Sequence, residues 1–301
     1  MSKRTYTCCW YSIPAPDNAP THMISIICVY NSTSTLQSCL LNSLSKQKTN
    51  FELISVDNTE KRFKSAAEAL NWGGKQAAGD YLIFAHQDVD LRSDSWLNTT
   101  ETLLNSLPNL GIAGVAGVID GGISLRERYT DTITQRPPKK FKSGITHGPR
   151  MEPWGTPIEG AEPVQTLDEC LVIIPKSVFG ILQFDEATCS DWHLYAVDYC
   201  LSVATQGFGV YAIPSCLHHR SKGLELENRF RVIASLRLYP EAYYSTLGHV
   251  LRKHKNRYKW IYTSCGSWST TYPLTMQRAA HVLRYFAGSL VILLFNRFHT
   301  S

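Results

Sequence analysis

Short apolar runs and stretches of helical period alternate along the first half of the chain. Residues 23–29 (Met-Ile-Ser-Ile-Ile-Cys-Val) form a near-continuous apolar run of strand length, followed by the polar turn Tyr30-Asn31-Ser32-Thr33-Ser34. Ser34 stands three residues before Gln37, a capping-box spacing, and Leu36, Cys39, Leu40 and Leu44 then recur with helical period. A second strand over 51–56 stops at Asp57-Asn58. Ser65 and Glu68 repeat the capping-box spacing and open an alanine-rich helix that passes Leu70-Asn71 and closes near Gly79. Tyr81 to Ala85 is apolar, β-prone and too short for a helix, which predicts a buried central strand. A helix over 94–106 and a strand over 111–118 follow. This β-α-β-α-β order predicts an α/β fold with a doubly wound, mostly parallel sheet.

The pattern then breaks. Residues 119–166 carry six prolines, many glycines and the basic run Lys139-Lys140-Phe141-Lys142, and a connection this long is expected to act as a lid or acceptor loop. Order returns with an apolar strand at 170–174, just after Asp168-Glu169. A helix is expected over 191–207, with Leu194, Val197, Leu201 and Ala204 on its apolar face and Asp191, Asp198 and Thr205 near another. A short strand at 208–213 leads into Pro214–Gly223, with its pair His218-His219. The expected division is an extension (1–21), an α/β domain (22–223) and a helical basic tail (224–301).

Composition adds limits. With 44% hydrophobic residues among 301, the chain can bury a large core. The nine cysteines show no C-x-x-C spacing, so a zinc site is not expected, and most are expected to be reduced and buried. The first twenty residues lack a continuous apolar stretch of the secretory type, and a cytoplasmic location is the expectation. Charge is unevenly divided. From Arg220 to the end there are 13 Lys and Arg against 3 Asp and Glu, +10, which leaves −5 on the preceding part of a chain of net +5. Such a tail suits a polyanionic partner or an anionic membrane surface. The run Arg252–Lys259 is expected to be a solvated helix face, and nothing else supports nucleic acid. Tyr285 to Phe295 is too short to span a bilayer, so this segment is expected either to dock on the protein or to lie in the membrane interface.

The candidate chemistry lies at the end of the central strand. Ligands of open α/β sheets sit outside the carboxyl ends of the strands, where His86, Asp88 and Asp90 fall. Such a cluster suits a divalent cation whose shell is completed by substrate phosphates, although acids at a strand corner also simply face water.

The ordered series Ser25-Ile26-Ile27-Cys28-Val29-Tyr30-Asn31, Val56-Asp57-Asn58, Ala69-Leu70-Asn71-Trp72-Gly73, Ala78-Gly79-Asp80-Tyr81 and His86-Gln87-Asp88-Val89 resembles family 2 glycosyltransferases of the GT-A fold. The likeness covers about residues 22 to 223. It is closest to the branch in which His-Gln-Asp replaces Asp-x-Asp and whose later block is similar to Trp192-His193-Leu194-Tyr195 through Asp198-Tyr199-Cys200-Leu201. The resemblance implies transfer of a sugar, with inversion, from a nucleotide-sugar to a glycan or lipid-linked acceptor. The implied donor-binding residues are Tyr30, Asn31, Asp57, Asn71, His86 and Gln87. Asp57 could accept from a uracil or thymine imide, so UDP- or dTDP-sugars are the expected donors. The implied cofactor is Mn2+ or Mg2+ at Asp88, with His219 as a late ligand.

Two departures stand out. His86 replaces the first acid of Asp-x-Asp, and Ala196 occupies the position of the family's general base. Asp191 is the first substitute, followed by Asp198 and His193. A degenerate, non-catalytic nucleotide-sugar or glycan binder is the alternative that Ala196 favours. A nucleotidyltransferase is disfavoured, because Tyr30 to Thr35 contains no glycine for a phosphate loop.

Overall fold

The computed structural model describes residues 23–121, 140–148, 151–220 and 239–283. Strand β1 (Ile24–Tyr30) leads into helix α1, which begins at Thr33–Leu36, widens into a π-helical turn at Gln37–Leu41 and ends at Asn42–Leu44. The N-cap is Ser32, two residues before the expected Ser34. Its hydroxyl accepts from the Thr35 N–H, because Gln87 holds the backbone of Asn31 and Ser32 and so sets where the helix can begin. β2 (Phe51–Asp57) follows, then α2 (Ala66–Gln76), capped by Ser65 onto the Glu68 N–H as its spacing predicts. β3 (Tyr81–Ala85) matches the predicted central strand and turns into the short β4 (Val89–Leu91), after which α3 (Trp96–Ser106) crosses back.

The predicted strand at 111–118 is two strands, β5 (Leu110–Gly114) and β6 (Ala116–Val118). The chain changes sheet at Val115. The stretch expected to be a lid is also structured where described. It supplies β7 (Phe141–Ser143), β8 (Ile145–His147), β9 (Glu152–Trp154), β10 (Glu162–Pro163) and β11 (Thr166–Leu167). Residues 122–139 of that stretch lie outside the described residues. β12 (Leu171–Pro175) and α4 (Lys176–Ile181) come next, then α5 (Tyr195–Thr205), β13 (Gly209–Ala212) and β14 (Leu217–His219). α5 starts four residues later than expected because Leu194 is left-handed (φ 63°), so Asp191 to His193 stand outside the helix.

The central sheet has the order β10-β13-β5-β12-β3-β1-β2. β1 pairs in parallel with both β2 and β3, and β13 with β5, while β12 runs antiparallel between β3 and β5. The crevice between β1 and β3 is the point where the strand order reverses, the place where open α/β sheets bind ligands. A second sheet, β4-β14-β8-β9, sets Val89, His219 and His147 side by side.

The described part of the expected tail is built into the fold. α6 (Glu241–His254) and the hairpin β15 (Trp260–Thr263)–β16 (Gly266–Ser269) bury Tyr243, Leu247, Val250 and Trp268 against Leu194, Val197 and Leu201 of α5. In the Arg252–Lys259 run, Arg252, Lys255, Arg257 and Lys259 are exposed, as expected of a solvated face, while two members pair with acids of the α/β body. Lys253 pairs with Asp185 at 2.8 Å and with Asp198 at 2.7 Å, and His254 pairs with Asp198 at 2.8 Å. A helix at 274–283, here α7, closes on α6. Arg278 makes two bonds to Glu241 and lies over the Tyr244 ring. Among the described residues no helix is long and apolar enough to cross a membrane, and residues 284–301 lie outside them.

Candidate active site

β1, β2 and β3 end side by side, and their loops wall a cleft of about 950 Å³ lined by Tyr30, Asn31, Asn58, Lys64, His86, Gln87, Asp88 and Trp192, among others. The two central loops are tied together by one neutral amide. Gln87 Oε1 accepts from the backbone N–H of Asn31 and of Ser32, and its Nε2 donates to Asn31 Oδ1 at 2.7 Å. Gln87 therefore shapes the cleft floor instead of offering its amide to a ligand. Asp57 closes β2 opposite Tyr30, where its Oδ1 accepts from the N–H and hydroxyl of Thr59. Those bonds hold its carboxyl below the usual range.

Three further residues are placed differently from expectation. Asn71 is buried and turned away from the cleft, because its amide bonds both the N–H and C=O of Phe184, and also Glu186. Asp198 is 1% exposed and its two oxygens are taken by His254 and Lys253, so a helix-face acid is a structural anchor for α6. His193 packs on Tyr243. Asp191 sits on the α2 flank, where its carbonyl accepts from the Ala66 N–H and its carboxylate from the Trp192 N–H. Its neighbours Trp192 and Tyr195 line the cleft.

At the inner end of the cleft, His86, Asp88 and His219 each bring a donor atom within 4.8 Å of the others. His219 Nε2 stands 3.3 Å from Asp88 Oδ1. Its Nδ1 is buried without a hydrogen-bond partner among the described residues. Burial and the adjacent His219 hold the His86 imidazole below its ordinary range, which leaves the ring neutral and able to ligate. Burial is the largest influence on the Asp88 carboxylate and works against it, but the hydrogen bond from His219 and the charges of His219 and His86 together outweigh it, and Asp88 titrates below the usual range. Asp90, the third acid-strand candidate, points to the other face of β4 and pairs with Arg220 at 3.0 Å.

His86 Nε2 also meets the Tyr195 hydroxyl at 3.1 Å, and that hydroxyl reaches the Glu169 carbonyl. His147 stacks edge-on against His219 with ring centroids 5.2 Å apart. The sequence reading missed His147 because it lies in the stretch taken as a lid. Only the β8–β14 register brings it to the site, and no local spacing carries that pairing.

Residues 24–221 match the model described as "Glycosyltransferase like family". A Fuscovulum blasticum protein called "ATP synthase subunits region ORF 6" is 25% identical over 187 residues, 60% of this chain and 68% of that one. Among solved structures, the mannosyltransferase PcManGT of Pyrobaculum calidifontis, determined with GDP-Man and Mn2+, is similar with a TM-score of 0.51 and 12% identity, covering 93% of this chain and 77% of that one. S. aureus TarS gives a TM-score of 0.47 and 14% identity over 79% of this chain and 40% of that one. With the family model spanning residues 24–221, about two thirds of the chain, this chain belongs to the glycosyltransferase-like family and has the GT-A type of fold.

Proposed function

We propose that the protein transfers a sugar, with inversion, from a nucleotide-sugar to an acceptor hydroxyl, the donor lying in the β1–β3 crevice with its base toward Tyr30 and Asp57 and its diphosphate toward Asp88. The observation that carries this reading is the meeting of His86, Asp88 and His219 at the inner end of that crevice. A carboxylate beside Tyr30 suits the imide N–H of uracil or thymine, which keeps UDP- and dTDP-sugars as the first donors to test. Lys61 and Lys64 on the cleft wall add positive charge for a diphosphate.

The three donor groups fit a divalent cation: a neutral imidazole, a second with an orphaned buried nitrogen, and an ionised carboxylate. Two nitrogens beside one oxygen suit Mn2+ better than Mg2+, which favours an all-oxygen shell. When bound there, such an ion supplies Lewis-acid stabilisation of the leaving diphosphate. This assignment moves His86 from the donor-binding set to the ligand set. A glycan or a lipid-linked saccharide remains the acceptor class we propose. Contact with an anionic membrane would rest on residues 284–301.

Calorimetric titration of UDP, dTDP and GDP, with Mn2+ and with excess chelator, tests the reading. Binding that needs Mn2+ and is lost in Asp88→Ala and His219→Ala supports it. Full binding in chelator removes the metal, and no binding to any of the three removes the donor site. The second reading, a binder without turnover, is favoured by Ala196, fully buried where the family carries its base. Release of nucleoside diphosphate from UDP-glucose, UDP-GlcNAc or GDP-mannose separates the two.

A further inference from the structure

The carboxylate that Ala196 lacks has a neighbour in space. β12 runs beside β3, and the Cys170 carbonyl accepts the His86 N–H at 2.9 Å, so Asp168 and Glu169 continue along the edge that carries His86. The two acids diverge. Glu169 is turned under the start of α5, where its Oε1 is buried and has no hydrogen-bond partner among the described residues. That carboxyl is engaged by the backbone N–H groups of Leu194, Tyr195 and Ala196. Asp168 is half-buried, as Glu169 is, but each of its oxygens is oriented by one donor: Oδ1 by the Cys170 N–H at 3.1 Å, Oδ2 by the Ser264 hydroxyl at 2.9 Å. Its negative charge reaches both His86 and His147, acting to raise each. It does not line the donor cleft, and the bond from the His86 N–H to the Cys170 carbonyl ties its strand to the inner end of that cleft.

An inverting displacement requires its base away from the departing diphosphate, because the acceptor oxygen must approach opposite it, and a carboxylate next to the inner end of the cleft but outside its walls meets that requirement. Asp191 is held instead at the start of α2, where its carbonyl accepts from the Ala66 N–H and its carboxylate from the Trp192 N–H. We propose that Asp168, oriented by Ser264 of the C-terminal hairpin, is the general base of the transfer, an assignment that rests on the sugar-transfer reading above. The acceptor hydroxyl gives its proton to the Asp168 carboxylate as its oxygen bonds to the anomeric carbon. The bond from that carbon to the phosphate oxygen breaks, and its electron pair leaves with the nucleoside diphosphate. The hairpin thereby becomes part of the acceptor wall, fixed by Ser264 on Asp168, by the Thr166 hydroxyl on the Tyr262 carbonyl, and by Gln165 on the Tyr262 N–H.

The test uses the full chain with Mn2+ and UDP-glucose, UDP-GlcNAc, dTDP-glucose and GDP-mannose, reading nucleoside diphosphate release. Asp168→Ala and the isosteric Asp168→Asn should lower kcat by about 100- to 10,000-fold while nucleoside diphosphate affinity stays within about twofold. Sodium azide, already an anion and needing no base, should restore turnover to Asp168→Ala and yield a glycosyl azide visible by mass spectrometry. Ser264→Ala should lower kcat with donor KM unchanged, and Ser264→Thr should recover it, a split that a merely structural hydroxyl would not give. Turnover by both Asp168 variants within about threefold of the parent overturns the assignment. Failure of azide to rescue a folded, donor-binding Asp168→Ala also overturns it. A parent that neither binds nor turns over any of the donors overturns the transfer reading itself, and the assignment with it.

Discussion

Asp198→Ala separates an anchor from a catalyst. Asp198 is 1% exposed and bridges two side chains of α6, the His254 imidazole at 2.8 Å and the Lys253 ammonium at 2.7 Å. Removing one partner of a buried ion pair costs about 3–5 kcal/mol. Lys253 keeps Asp185 at 2.8 Å and its side chain is 31% exposed, so it is not stranded, which favours the low end, about 3 kcal/mol. Most of that loss falls on His254, which is 4% exposed and is left with an unsatisfied Nε2. At about 2–4 °C per kcal/mol for a chain of this size, the melting temperature should drop by roughly 6–12 °C. Asp198→Asn, which can still accept from His254, should lose less. Scanning calorimetry gives the midpoint, and turnover is measured well below it on folded protein, where kcat should stay near the parent's. A midpoint within about 2 °C of the parent, together with a kcat at least about 100-fold lower, would refute the anchor and make Asp198 the base.

Three further outcomes are expected. Burial, reinforced by the charge of Asp168, pushes the Glu169 carboxyl up to about 8, against the backbone N–H groups at the start of α5. A raised folded pKa means stability that is complete below the unfolded value of about 4.5 and is lost as pH rises toward 8. Glu169→Gln should therefore gain on the parent as pH rises through that window, by up to about 1.4 kcal/mol per unit, and urea unfolding at two pH values inside it would show a constant difference if this is wrong. A Cβ on Gly79 would meet the Met23 carbonyl and the Ser25 N at 2.6 and 2.7 Å, so Gly79→Ala should cost about 1–3 kcal/mol by denaturant titration; a neutral result would show that β1 can shift at its start. Truncation after Pro273 removes Arg278 from Glu241 and Gln277 from Ser269, and should lower the melting temperature. An unchanged midpoint with lost binding to anionic vesicles would return this helix to the membrane.

The sequence revealed what is local. Strand runs, the Ser65 cap and the acids ending β3 lie within a few residues of their causes, and they sufficed to place the crevice. Pairings between distant segments were not visible. His147 reads as one residue in a proline-rich loop until β8 is laid beside β14, and Asp168 reads as the polar edge of a strand until Ser264 arrives from the C-terminal hairpin. Asn71 and Asp198 misled for a related reason. A polar side chain at a helical position looks available in sequence, and both are consumed by partners more than fifty residues away. The tail misled through its charge, because a count of basic residues does not record that Lys253, His254 and Arg278 each meet an acid of the fold.

Leu194 holds its left-handed backbone because its side chain is wedged among Tyr243, Leu247 and their neighbours, and the next residue, Tyr195, touches His86. A non-glycine residue in that conformation stores about 1–3 kcal/mol, which the packing of α6 outweighs. Take α6 away and Leu194 is free to relax into ordinary helical geometry, which loosens the packing that holds Tyr195 against the imidazole. A fragment ending near residue 223 would carry the whole central sheet and every metal-facing side chain, and would still lack that packing.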